Sequence, residues 1–425
     1  MARLLLIVLI AISFTSNAQG VNEIDYLAEK IRKDYPGFLE KTSHIDFDKF
    51  VRETGRRYAN DTFKAMAKIV DFFADRHLDI LKSKGPVNSE ECDRALKDAI
   101  LYFKKSRRLK KLEGFWISEY AQCILAIRQT SEHSLNYSAC VIESRDSSKL
   151  RPGQLFYNFE HEKDNRFFTL ATNSRSSATF YIHSEFRNDS VMTAGPYNKW
   201  KKINYFPQCL KTYPQKSDIT TGAWLDEQTY LITIPASSAS NGAVLDSIIA
   251  VNPKITQSLE HLIVDIRSNS GGKTAAYASL MPLLYTNPIL TVNGSIYCSE
   301  DYIIKNEKDR RDYILTGNID SAYLSKWNDW ISRMQDNVGK FITTPQDTLV
   351  LDSVLTYPKR VSILVNYGCQ SAAEIFLLES LQSKKVTLFG EHTAGAIDFL
   401  NFYPQNTPSG QYKIYIATTM AFVCN

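Results

Sequence analysis

At 425 residues the chain is long enough for two or three domains with sizeable cores. Its 44% hydrophobic and 23% charged content is that of an ordinary globular protein, not of a disordered or fibrous one. A net charge of +4 is small for this length and gives no case for a nucleic-acid partner.

Residues 1–20, MARLLLIVLIAISFTSNAQG, read as a secretory signal. Arg3 supplies a positive start, LLLIVLIAISF an apolar run too short for a membrane span, and Ser16-Asn17-Ala18 a small-x-small cleavage site. Cleavage is expected after Ala18, giving a signal segment 1–18 and an exported chain (periplasmic, envelope or secreted) with no stable membrane insertion. Seven cysteines without a C-x-x-C pair leave at least one unpaired within the chain and argue against a zinc site.

From 21 to 110 apolar residues recur at helical spacing in IDYLAEKIRKDYPGFLEK, FDKFVRETGRRYA, FKAMAKIVDFFADRHLDIL and CDRALKDAILYFKKSRRLKKL. Within this helical region His77 sits among Asp75, Arg76 and Asp79, which by itself describes a surface or helix-end histidine. From 114 to 215 the pattern changes to short alternating or aromatic-rich runs such as LNYSACVIES, QLFYNFEH and RFFTLAT, a small all-β domain. His133, His161 and His183 are dispersed in it as strand and loop residues.

From 220 to 425 strands alternate with helices, which argues a layered α/β domain. TYLITIP, HLIVDI, VSILV and VTLFG read as strands; AVLDSIIAVNPKITQSL and TAAYASLMPLLY read as helices. An insertion at 294–352 carries Trp327 and Trp330, expected to pack it onto the body. In LIVDIRSNSGG a buried strand ends in a polar turn and a glycine pair, where backbone N–H groups are free to point into a site. In VSILVNYGCQSAAEIF a strand turns into a helix at Ser371, beside unpaired helical N–H groups and the positive end of the helix dipole. That serine has two readings. Ser371-x-x-Glu374 fits a capping box, and a strand-to-helix turn also exposes nucleophilic serines in several hydrolases.

These two stretches, followed by GEHTAGA (390–396), resemble the serine peptidase family that includes the tail-specific (C-terminal processing) proteases and the tricorn protease core. The resemblance spans roughly Tyr230 to the end. It implies a crotonase/ClpP-like β-β-α spiral, Ser371 as nucleophile, and an oxyanion hole from the N–H of Ala372 with that of Gly271 or Gly272. No cofactor and no metal are implied, and the substrate is a peptide or an unfolded protein. The tail-specific branch takes a lysine as base at a position where this chain has Ala396, and Lys384 and Lys385 come too early. The tricorn-like branch takes a histidine from an N-terminal segment, and FFADRH looks like that segment, so His77 is the candidate base and His392 its competitor. The acidic residue that orients the histidine is not identified: it is absent, replaced by a residue such as Asp398, or lost with a truncated C-terminus. The alternative function is an exported relative that keeps the fold, binds peptides or apolar ligands and has no activity.

Overall fold

The computed structural model describes residues 22–422 apart from 84, 86, 107, 119–121, 174–177, 196–197, 204–209 and 211–216. The signal segment 1–18 and the last stretch of the all-β region lie outside the described residues. Among the described residues no helix is long and apolar enough to cross a membrane.

The N-terminal part holds four helices, α1 (Glu23–Asp34), α2 (Phe38–Thr42), α3 (Phe47–Arg57) and α4 (Thr62–Asp71), then strand β1 (Asp79–Lys82) and helix α5 (Ser89–Lys105). Side-chain caps start three of the first four: Asn22, Asp46 and Asp61 accept backbone N–H groups at the first turns of α1, α3 and α4. Helix α4 buries Ala65, Met66, Ile69 and Val70 and stops where Ala74 takes a positive φ of 48°.

Eight strands follow: β2 (Gly114–Ser118), β3 (Cys123–Gln129), β4 (Tyr137–Ser144), β5 (Leu155–Lys163), β6 (Arg166–Thr172), β7 (Thr179–Asn188), β8 (Val191–Ala194) and β9 (Asn198–Ile203). Each pairs antiparallel with the next, and β9 pairs back onto β2, so the ring closes into an up-and-down barrel. The period-2 pattern fills its interior, with Leu125/Ile127, Ala139/Val141, Tyr157/Phe159 and Met192/Ala194 alternating inward beside Trp116 and Trp200. The barrel is a packed core. Helix α5 covers one outer side through Ala99 against Phe115, Ile117 and Ile124. Helix α4 covers another through Phe63 on Tyr181 and Lys68 over the Phe168 ring.

The α/β layer is a five-stranded mixed sheet in the order β10 (Thr221–Trp224), β11 (Thr229–Thr233), β12 (His261–Asp265), β17 (Arg360–Val365), β18 (Val386–Gly390); the last four run parallel. Parallel strands need crossovers, supplied here by α6 (Ala239–Val251), α7 (Lys254–Gln257), α8 (Met281–Leu284) and α11 (Ala372–Ser380). Ile232, Leu262, Val264, Ile363, Tyr277 and Phe376 form its core. The stretch TAAYASLMPLLY is not one helix but a 3₁₀ turn at Thr274–Tyr277 and the short α8, broken by Pro282 at the second start. β13 (Ile289–Leu290) precedes the insertion, which contributes most of β14 (Asn293–Tyr297), the helical hairpin α9 (Glu300–Leu315) and α10 (Ser321–Gln335), β15 (Phe341–Thr343) and β16 (Thr348–Leu349). Trp327 and Trp330 pack onto its own small core of Cys298, Ile303, Ile331 and Met334.

The last strands, β19 (Phe399–Asn406) and β20 (Tyr412–Phe422), join these parts. β20 pairs with β1 and β14 on one side and with β19 on the other, and β1 in turn pairs with β7 of the barrel. Leu27, Ile31, Met66 and Phe73 share one core with Phe399, Ile414 and Ile416. The helical N-terminal region therefore packs onto the last two strands of the chain. Hydrophobic periodicity within each segment does not reveal this, because a helix buries the same stripe whatever it meets.

Candidate active site

Three turns converge at the C-terminal ends of β12 and β17. The first, 266–272, and the second, 366–371, are braced to each other by their asparagines. Asn366 Oδ1 accepts the Ser268 N–H at 2.7 Å and the Gly368 N–H at 3.0 Å. The fully buried Asn269 accepts the Gly271 N–H at 2.9 Å and the Ser237 hydroxyl at 3.1 Å, while its carbonyl takes the Gln370 N–H at 3.2 Å. The asparagines act as fixed acceptors for turn N–H groups that would otherwise be buried and unpaired.

Ser371 stands at the end of the second turn with φ 54° and ψ −121°, a conformation that a residue with a Cβ adopts only under strain, at a cost of about 1–3 kcal/mol. The Glu374 carboxylate holds it there. Oε2 accepts the N–H of Ser371 at 2.8 Å and that of Ala396 at 2.9 Å, and Oε1 accepts that of Gly395 at 2.8 Å. The Glu374 N–H donates to the Ser371 carbonyl at 2.8 Å, and the Ser371 hydroxyl faces His77 Nε2 at 3.2 Å.

His77 reaches this point from the third turn, after α4. Phe73, fully buried against Tyr35 (5.2 Å between rings) and Phe47 (5.7 Å), anchors the turn. Asp75 Oδ1 accepts the His77 backbone N–H at 2.8 Å and lies 3.9 Å from His77 Nδ1. Arg76 donates to the Tyr367 hydroxyl at 2.9 Å, tying the histidine turn to the serine turn. Burial holds the imidazole below its ordinary value, and the Asp75 and Glu374 carboxylates oppose that shift in part. Burial raises the Asp75 carboxyl, with the His77 N–H and Tyr35 opposing.

The structure thus brings together Ser371, His77, Ala372, Gly271 and Gly272. Gly271 (φ 85°) and Gly272 (φ 135°) pass against the serine turn. A Cβ on Gly271 would meet Gln370 O at 2.6 Å and Ala372 N at 3.0 Å. The two glycines are not equivalent donors. The Gly271 N–H is committed to Asn269, whereas the N–H groups of Gly272 and Ala372 have no acceptor among the described residues. Gly271 as an oxyanion donor is corrected on that ground; its part is to leave room. Gly271→Ala is expected to lower turnover by at least about 10²-fold, because the added methyl displaces the Ala372 N–H; a near-normal rate would contradict this geometry.

The other candidates lie elsewhere. His392 is exposed, its Nδ1 2.9 Å from Thr393 O and its ring edge-on to Tyr367 at 5.2 Å. Lys384 is exposed, and Lys385 donates to Leu355 O at 2.6 Å. Asp398 is exposed, and Asp75 is the carboxylate beside His77. Sequence reasoning missed Asp75 as that partner, although it sits two residues ahead of His77. Among the described residues no cluster of His, Cys, Asp or Glu converges as a metal site, and Cys123, Cys140, Cys298 and Cys369 are free thiols.

A serine held in strain at a strand-to-helix turn, facing a buried histidine and two uncommitted N–H groups, is the apparatus of a serine hydrolase. Residues 229–420 match the model of peptidase family S41, so this region of the chain is that of an S41 serine peptidase. No curated protein matches the chain. Among solved structures it is similar to mature CPAF, at 12% identity and TM-score 0.47, covering 94% of this chain and 88% of that one. It is also similar to the photosystem II D1 C-terminal processing protease (12% identity, TM-score 0.37, 94% and 88% covered). A lipoprotein from Streptococcus agalactiae matches over 48% of this chain and 59% of its own, at 15% identity and TM-score 0.29.

Proposed function

We propose that the protein hydrolyses peptide bonds of unfolded proteins or peptides by acyl transfer from Ser371. The observation that carries this reading is the 3.2 Å approach of His77 Nε2 to the Ser371 hydroxyl. Ser371 Oγ attacks the carbonyl carbon while its proton passes to His77 Nε2. The N–H groups of Ala372 and Gly272 stabilise the oxyanion. The C–N bond then breaks as His77 returns the proton to the leaving nitrogen. Water, deprotonated by His77, releases the acyl group as a carboxylic acid. The Asp75 carboxylate, 3.9 Å from Nδ1, steadies the imidazolium that forms in both halves.

A histidine base supports the tricorn-like branch without the catalytic lysine, on the crotonase/ClpP-like spiral. The signal-like segment 1–18 supports export. Against an inert ligand-binding relative stands the strain at Ser371, held by three hydrogen bonds to Glu374 that binding alone does not require.

The test is covalent labelling of Ser371 by a fluorophosphonate, together with cleavage of an unfolded protein such as casein. Failure of both would overturn the reading. Because burial lowers the His77 pKa from 6.5, the neutral base is present at pH 7. kcat/KM is expected to rise with pH through an apparent pKa below 6.5 and then level off. An acid limb centred above pH 7 would rule out His77 as the base.

A further inference from the structure

Beside the catalytic pair lies an aromatic surface that neither turn needs. Phe402 on β19 is 51% exposed, yet its ring centre is 5.8 Å from that of His77. Its other side meets Tyr415 of β20 edge-on at 5.4 Å. Single exposed apolar residues are ordinary on protein surfaces. This one is distinguished by contact with a buried base and by the backbone that presents it. Asn401, just before it, has φ 52°, and its side chain donates to Thr419 Oγ1 at 3.1 Å. The buried Phe399 is packed on Tyr35 at 5.2 Å, so the strand is anchored in the core three residues before it offers Phe402 to solvent. β19 pairs only with β20 among the described residues, so its outer side is open to an incoming chain.

We propose that Phe402 and Tyr415 form the subsite for an apolar side chain on the first substrate residue after the scissile bond. The inference rests on the hydrolase reading above. His77 must reach the leaving nitrogen to return its proton, so the residue carrying that nitrogen lies against the histidine. An extended chain advances about 3.3 Å per residue, which sets the side chain of that residue within reach of a ring centred 5.8 Å from the imidazole. An aromatic corner of two rings set edge-on favours Leu, Ile, Met or Phe over Ser, Gly or Asp. A hydrophobic subsite of this kind discriminates by about 10–100-fold.

The experiment compares kcat/KM for two fluorogenic peptides that differ only in Leu or Ser at that position, with the full chain and with Phe402→Ala. The full chain is expected to prefer Leu by at least about tenfold, and Phe402→Ala to bring the ratio close to one. Phe402→Leu should keep most of the preference. The ratio is internal to each variant, so it does not depend on how much of that variant is folded. An equal loss on both peptides with the ratio unchanged would show that Phe402 only braces His77, and would overturn the subsite. So would a full chain with no preference. If the full chain cleaves neither peptide and is not labelled at Ser371, the hydrolase reading itself fails.

Discussion

Ser371→Ala is expected to reduce peptide hydrolysis by about 10⁴–10⁶-fold, and His77→Ala to reduce it by a similar factor. Without His77 the serine proton has no acceptor at 3.2 Å; without Ser371 the histidine has nothing to activate. The two act as one unit, so the double variant should be hardly worse than either single one. Single-turnover cleavage of a fluorogenic peptide measures all three. A multiplicative loss in the double variant, or a His77→Ala rate within tenfold of the parent, would exclude the pair as nucleophile and base. Neither substitution should cost more than a few degrees of thermal stability. Removing the hydroxyl of Ser371 leaves the Glu374 brace intact.

Glu374→Ala is the opposite case, with a large effect on stability as well as activity. The carboxylate is 5% exposed and accepts three backbone N–H groups, from Ser371, Gly395 and Ala396. Each buried donor left unpaired costs about 1–3 kcal/mol, so a loss of about 3–5 kcal/mol is expected after local relaxation. For a chain of this size that corresponds to a fall in Tm of about 3–6 °C. Ser371 would also leave its strained conformation, and fluorophosphonate labelling should drop with it. Glu374→Gln tests the same point with little change in volume, because its amide turns a donor toward at least one of the three N–H groups. Scanning calorimetry with labelling at 20 °C reads both effects. A variant that labels normally would mean that the turn holds itself.

How much of this was legible in the sequence depended on distance along the chain. VSILV, LIVDI and VTLFG declare themselves as strands because buried parallel strands are apolar throughout. The change to helical spacing at Ala372 marks the turn. Ser371 remained open between cap and nucleophile because both put a serine before Glu374, and only the direction of the hydroxyl separates them. The barrel strands were visible as alternating runs; their closure was not, because the β9–β2 pairing leaves no mark on either strand alone. Asn269 and Asn366 read as turn formers, and their role as braces between two turns appears only when the turns meet. Gly271 and Gly272 are indistinguishable as letters; Asn269 distinguishes them by taking one of the two N–H groups.

The shared core of the first helices and the last strands also has a consequence for timing. His77 is held by a turn anchored on Phe73, whose core is completed by Phe399, Ile414 and Ile416. During synthesis those residues emerge more than three hundred positions after the histidine, and later than Ser371 itself. A growing chain that has already formed its barrel and the parallel sheet still lacks the surface on which the base is seated. Hydrolytic competence is therefore set by the final folding event rather than the first. If the proposed activity on unfolded polypeptide holds, such a chain is protected from attacking its own unfolded segments for most of the time that they are exposed.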